Sequence, residues 1–401
     1  MTRAINPAQA VILSGGGAYG AYEVGVMKAL FTGECPSTGY DYLNPGIFTG
    51  TSVGAYNASF MVARADEDIC TTIRFLESLW LNQIAPSTCG NGVFRIRANP
   101  LRYSNPACFA ANPAQPFNEL ADDAEFFARN FFSRTVNFLM AAGSLSDRAL
   151  ELVDVSAFVT AHPLRSLIRE LVPLENIRRA DRALRIVATN WETGKLTTFE
   201  NRDMTDDQGH DIIIGSAAIP GIFRPHNIAG QPYVDGGLVM NTPLECAIEA
   251  GATTLHVIYM DPDVRNIPLR TLQSSIGALD RVLIVTSASK VGEDIDTAAW
   301  INEGLEVVER VAAGGESLSN ADMRAFLRVA SQIYQRIKAG APYKKLIIHR
   351  YHPHDDLGGG ALGLLNFDHD RIAALIERGF NDALNHDCEA SHCILPGGAP
   401  V

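Results

Sequence analysis

The sequence predicts a parallel α/β fold, and three observations carry that expectation. An apolar run, a glycine-rich turn and a helical pattern follow one another twice in the first 65 residues, in "QAVILSGGGAYGAYEVGVMKAL" and again in "PGIFTGTSVGAYNASFMVA". Strand, turn and helix in repetition is the pattern of a parallel sheet whose crossovers are helices. Further short apolar runs recur along the chain, and 47% of its 401 residues are hydrophobic, which is enough to bury a large core.

"QAVIL" reads as a buried strand that ends in the turn at Gly15, Gly16 and Gly17, with a helix from about Gly20. "PGIFTG" is the second strand, and "TSVGAYNASFMVA" its turn and helix. Residues from about 86 to 143 look different. "NQIAPSTCGNG" and "ANPLRYSNPACFAANPAQP" are rich in Pro, Asn and Ala and are expected to be irregular. "AEFFARNFFSRTVNFLMAAG" follows, and as a helix it is apolar around more than half its circumference. The whole stretch reads as an insertion between core elements, and its helix suits either a core position or a lid or membrane-facing role.

"LRIVATNWE" from Leu184, "KLTTFEN" from Lys195, "TTLHVIYMD" from Thr253 and "KLIIHRYH" from Lys345 fit further strands. "ADMRAFLRVASQIYQRIKAG" and "DHDRIAALIERGFNDAL" carry helical spacing, and "PGGAPV" is expected to fray. The expected organisation is an extension over 1–8, one domain over 9–385 and a tail over 386–401.

A net charge of −12 and the lack of a basic run argue against nucleic acid as a partner and against electrostatic docking on anionic lipid. No secretory signal is visible in "MTRAINPAQ", and no stretch reaches the apolar length of a membrane span. The expected location is the cytoplasm, with peripheral contact at a membrane through residues 120–142 as an option. The seven cysteines are scattered and have no CxxC spacing, so free thiols are expected rather than a disulfide framework or a zinc site. Cys89/Cys108 and Cys388/Cys393 are the pairs that would close in an exported protein.

The chemistry-bearing motifs begin with Gly15, Gly17 and Gly20, which satisfy GxGxxG between a strand and a helix. The acidic partner of a dinucleotide fingerprint is not in place, because Asp41 falls in a loop-like segment. No Walker lysine closes the turn either. The second turn is more informative. Gly50-Thr51-Ser52-Val53-Gly54 is a G-x-S-x-G after a strand and at the start of a helix, the setting of a nucleophile elbow. If the two strands are neighbours, the amides of Gly15, Gly16 and Gly17 face a carbonyl under attack by Ser52 and hold its transient oxyanion. A base is still required. Asp235, followed by Gly236 and Gly237, stands at a strand end in a tight loop, and Thr242-Pro243 looks like the cap and first residue of the next helix.

These segments together resemble the bacterial patatin-like phospholipases. The resemblance rests on "GGGAYGAYEVGV", on "GTSVG", and on "SAAIPGIF" leading to "YVDGG" and "NTP", in that order. It covers residues 9–65 and 180–260 well, and more loosely "KLIIHRYH" and "LLNFDHDRIAALIERGFNDA". It implies a three-layer fold with a mostly parallel central sheet and helices on both faces. It also implies a Ser–Asp dyad of Ser52 and Asp235, an oxyanion hole from Gly15, Gly16 and Gly17, and supporting glycines at Gly50, Gly54, Gly236 and Gly237. The activity implied is hydrolysis of a fatty-acyl carboxylic ester in a phospholipid, with no cofactor and no metal. Many members carry arginine in the loop where this chain has Tyr19.

Two histidine readings compete. A Ser-His-Asp triad would draw its base from His349, His352 or His354, and the same segment offers His352, His354 and Asp355 as metal ligands. The dyad explains the glycine loop and "DGG" better than either. The rival functions are a soluble esterase, thioesterase or acyltransferase, and a non-catalytic acyl-lipid binding protein.

Overall fold

The computed structural model describes residues 4–86, 162–260, 345–358 and 363–395 continuously, apart from a few side chains, with shorter pieces within 92–128, at 159–160 and within 292–335. All but Gln335 of the helix expected over 321–340, the end of the apolar stretch near 140 and the "PGGAPV" tail lie outside the described residues.

The central sheet contains β1 (Asn6–Leu13), β2 (Pro45–Thr51), β5 (Ala183–Asn190), β6 (Leu196–Glu200), β7 (His226–Ile228), β8 (Gln231–Asp235), β9 (Thr254–Ile258) and β10 (Ile347–Tyr351). A separate ladder pairs β3 (Arg95–Ile96) with β4 (Val159–Thr160). The order across the sheet is β10-β9-β1-β2-β5-β8-β7, with β6 also on β5. The five strands from β10 to β5 are parallel, and β6, β7 and β8 join antiparallel. The fold is therefore mixed α/β with a mostly parallel sheet, as the sequence predicts.

Burial on both faces follows from the alternation of side chains along each strand. Val11 and Leu13 of β1 enter the core on one face, and Ala10 and Ile12 the core on the other. The first core holds α1 (Gly20–Thr32), α2 (Val53–Val62), α3 (Ile69–Leu79) and the helix His369–Leu384. The second holds the helix Leu244–Glu249 with Ile295 and Ala298. Helices thus lie on both faces.

α1 is buried almost all round and is clamped between the sheet and His369–Leu384. The two helices approach closely enough that a Cβ on Gly25 would fall on the Ile376 carbonyl, and one on Gly379 on the Tyr22 carbonyl. Asp368 caps the closing helix by accepting from the Arg371 N–H at 3.2 Å.

Three local expectations change. A helix, Pro106–Ala111, forms in the stretch expected to be irregular; Pro106 starts it, where proline's missing N–H is no loss. Pro243 rather than Thr242 stands at the cap of Leu244–Glu249, and the Thr242 hydroxyl is buried without a partner. β1 starts at Asn6, inside the expected extension, and residues after His369–Leu384 turn back so that Ile394 bridges Ile348 of β10. Cys388 and Cys393 are free thiols, like Cys35, Cys70 and Cys246.

Candidate active site

The sheet register brings the candidate residues together. β5 has two edges, and β6 occupies one of them from Arg185 to Thr189. The other edge is shared. β2 pairs along it until Thr51 meets Val187, and β8 takes over where Asp235 meets Ala188. Ser52, the next residue after Thr51, therefore lies at the seam where the last residue of β8 is Asp235. The same logic places the glycine loop. β1 and β2 are parallel neighbours with Leu13 opposite Gly50, so two residues further on Gly15 lies beside Ser52. A Cβ built on Gly15 would stand 3.0 Å from the Ser52 Cβ.

Ser52 has φ 56 and ψ −122, a left-handed conformation that a non-glycine residue adopts only when its surroundings enforce it. The turn is tight enough to require its flanking glycines. A Cβ on Gly50 would fall on the Gly54 carbonyl, and one on Gly54 would sit 2.5 Å from the Leu13 carbonyl oxygen. A residue outside the motif completes the elbow. The Ser52 N–H donates to Ser216 Oγ at 3.0 Å, and the Ser216 hydroxyl donates to the Val187 carbonyl at 2.7 Å. Ser216 opens the segment "SAAIPGIF", so the signal was present, but only a non-local contact reveals its use.

Asp235 accepts the Gly237 N–H at 2.7 Å. Burial raises its pKa to about 6, and the Gly237 N–H and the nearby Ser52 side chain only partly oppose that rise. Gly236 has no room for a side chain, since its Cβ would lie 2.5 Å from the Val187 carbonyl oxygen.

The three loop glycines are not equivalent. The Gly15 N–H is engaged by Asn241, with the backbone oxygen and Oδ1 both at 3.1 Å, and Asn241 Nδ2 donates back to the Gly15 carbonyl at 3.2 Å. Gly15 is therefore anchored to Asn241 through both its amide and its carbonyl. No acceptor among the described residues takes the Gly16 or Gly17 N–H, which begin a short 3-10 turn. Gly17 has φ 56, and a Cβ there would fall on the Leu364 carbonyl. Asn241, in "NTP", is the second residue whose part the motif alone did not disclose.

The Tyr19 hydroxyl donates to the Gly358 carbonyl at 2.9 Å and its ring lies under the Arg371 guanidinium, which ties the glycine loop to Gly358 and to the helix His369–Leu384. The triad reading does not fit. β10, which carries His349, is three strands from β2, about 14 Å at normal strand spacing. His352 stacks on Tyr259 at 4.9 Å, and burial lowers its pKa to about 4. His352, His354 and Asp355 are not gathered into a ligand cluster among the described residues.

A family model described as Patatin-like phospholipase matches residues 11–248. Among solved structures, the chain is similar to that titled "Crystal structure of VipD from Legionella pneumophila", at 17% identity and a TM-score of 0.36. That match covers 94% of this chain, which spans 66% of the other's length. No curated protein matches the chain. Among the described residues, no helix is long and apolar enough to cross a membrane.

Proposed function

Because this chain belongs to the patatin-like phospholipase family, we propose that it is a phospholipase A-type acyl hydrolase using Ser52 and Asp235 as a dyad. The observation that carries the reading is the seam on β5. It aligns a strained serine with a buried carboxyl whose pKa is raised to about 6.

The reaction runs in two halves. Asp235 takes the Ser52 proton as Oγ bonds to the ester carbonyl, and the carbonyl electron pair moves onto oxygen. The Gly16 and Gly17 amides hold that oxyanion. On collapse the lysolipid alkoxide leaves with the proton from Asp235, and the fatty acid remains on Ser52. Water then gives a proton to Asp235 as it attacks the acyl-enzyme, and on collapse Asp235 returns that proton to Ser52 Oγ as the fatty acid is released. Neither half calls for a redox or Lewis-acid group.

Asp235 must be ionised to accept the proton. For a soluble ester, kcat/KM is therefore expected to rise with pH about tenfold per unit below about 6 and to level off above it. A pH profile of the free enzyme checks this. A flat profile from pH 4.5 to 7.5 would remove Asp235 as the base.

The glycine loop gives a second prediction. Gly17→Ala would press a Cβ on the Leu364 carbonyl and strain the backbone, so it is a poor probe. Gly16→Ala is crowded chiefly by the flexible Met260 side chain, with Cε at 2.6 Å and Sδ at 2.9 Å, so a folded variant with a displaced amide is expected. Loss of one oxyanion donor typically lowers kcat by about 10²–10³, and that loss is expected with little change in KM. Unaltered kcat would place the oxyanion elsewhere.

The substrate class is tested with a phospholipid mixture. Free fatty acids and matching lysolipids are expected. Turnover of short soluble esters alone would favour the soluble esterase reading. Exposed Phe109, Phe117 and Leu120, in the stretch from 86 to 143, favour contact with a lipid surface, and with a net charge of −12 that contact is apolar rather than electrostatic.

A further inference from the structure

The chain end carries a feature that acyl transfer does not use. After the helix His369–Leu384, the run "HDCEASHC" turns back on β10, the end strand of the sheet among the described residues. Ile394 and Ile348 of β10 exchange backbone hydrogen bonds at 2.8 and 2.9 Å. This bridge sets His349, the next residue of β10, near Cys393, the residue before Ile394. His386 and Cys388 reach the same point. One ligand atom from each of His349, His386, Cys388 and Cys393 lies within 4.8 Å of the others.

We propose that these four residues bind one zinc ion, which fastens the C-terminal segment to β10.

The distances fit that ion. Cys388 Sγ lies 3.5 Å from His349 Nδ1 and 3.6 Å from His386 Nε2, and Cys393 Sγ lies 3.4 Å from His386 Nε2. Zinc bonds of about 2.3 Å to sulfur and 2.0–2.1 Å to nitrogen give a tetrahedron whose sulfur–nitrogen edges are about 3.5 Å. Two thiolates and two imidazoles are a donor set that selects zinc among the common divalent ions.

Charge and burial agree. His349, His386 and Cys393 are buried, and two thiolates cancel the charge of Zn²⁺, so the loaded site is neutral. Binding transfers the two thiol protons to solvent and leaves four protein–metal bonds. With four protein donors no position remains for water, so the role is structural. Outer contacts hold the ligands. Ser391 Oγ lies 3.4 Å from His386 Nδ1, the Arg350 N–H donates to Cys393 Sγ at 3.3 Å, and His256 stacks on His349 at 5.1 Å.

The full-length protein, produced with zinc and dialysed against metal-free buffer, is analysed for metal by mass spectrometry. About one zinc per chain is expected, and below about 0.1 in Cys388→Ser/Cys393→Ser. Should that variant fail to fold, metal-stripped wild type is titrated with Co²⁺. A one-equivalent endpoint with the visible and sulfur charge-transfer bands of tetrahedral cobalt is expected, erased by one equivalent of Zn²⁺. The proposal is overturned if reduced wild type binds neither ion saturably. It is equally overturned if the native protein is two hydrogens lighter than the reduced one with Cys388 and Cys393 crosslinked.

Discussion

Ser52→Ala is expected to reduce ester and phospholipid hydrolysis by about 10⁴-fold or more while the protein remains folded. The hydroxyl supplies the only bond by which the acyl group is held between the two half-reactions, so no neighbour substitutes for it. Folding should be spared because alanine keeps the Cβ and the backbone bonds that fix the turn. The Ser52 N–H to Ser216 and the close Gly50–Gly54 packing are unchanged by loss of Oγ. The check is kcat/KM on a soluble ester, beside the far-ultraviolet spectrum and melting temperature of both proteins. Turnover within tenfold of wild type would remove Ser52 as the nucleophile.

Asp235→Asn is expected to cost about 10⁴-fold in kcat, with binding of substrate largely retained. The amide oxygen still accepts the Gly237 N–H, so the loop keeps its shape. The amide nitrogen then faces Ser52 and offers a proton where one must be accepted. Stability should not fall. In the wild type the folded pKa lies near 6, above the ordinary aspartate value of about 3.9, so between these values the folded state holds its proton while the unfolded state releases it. Stability from this group is therefore complete below about 4 and is lost as pH rises to about 6. Removing the ionisable group relieves a penalty of about 2–3 kcal/mol at pH 7. An inactive variant as stable as wild type separates the chemistry from folding. Full activity in Asp235→Asn would require another base.

The parts of this molecule that the sequence disclosed are those encoded locally. "SGGGAYG" and "GTSVG" each contain strand end, turn and helix start within a few residues, and their geometry follows from steric demands on Gly50 and Gly54. Asp235 was harder, because a carboxylate in a glycine-rich loop has many structural uses. Its place opposite Ser52 depends on β2 and β8 sharing one edge of β5, a pairing between distant segments. Ser216 and Asn241 act through contacts across 164 and 226 residues, for which no local pattern exists. Gly15 looked equivalent to its neighbours until Asn241 was seen to take its amide. The Cys–His cluster escaped for the same reason. His386, Cys388 and Cys393 lack CxxC spacing, and their fourth partner, His349, comes from a strand before the closing helix. The apolar helix expected after residue 124 falls largely outside the described residues.

The central claim is that Ser52, activated by Asp235, is the acylated nucleophile, and a fluorophosphonate tests it most directly. Such a reagent phosphonylates a serine only where a base and oxyanion donors already activate it. The protein is treated with the reagent, digested and mapped by mass spectrometry, in parallel with Ser52→Ala and Asp235→Asn. A single adduct on the peptide containing Gly50-Thr51-Ser52-Val53-Gly54 is predicted, absent in Ser52→Ala and formed far more slowly in Asp235→Asn. An adduct on another serine, or an unlabelled wild-type protein that still hydrolyses esters, would contradict it.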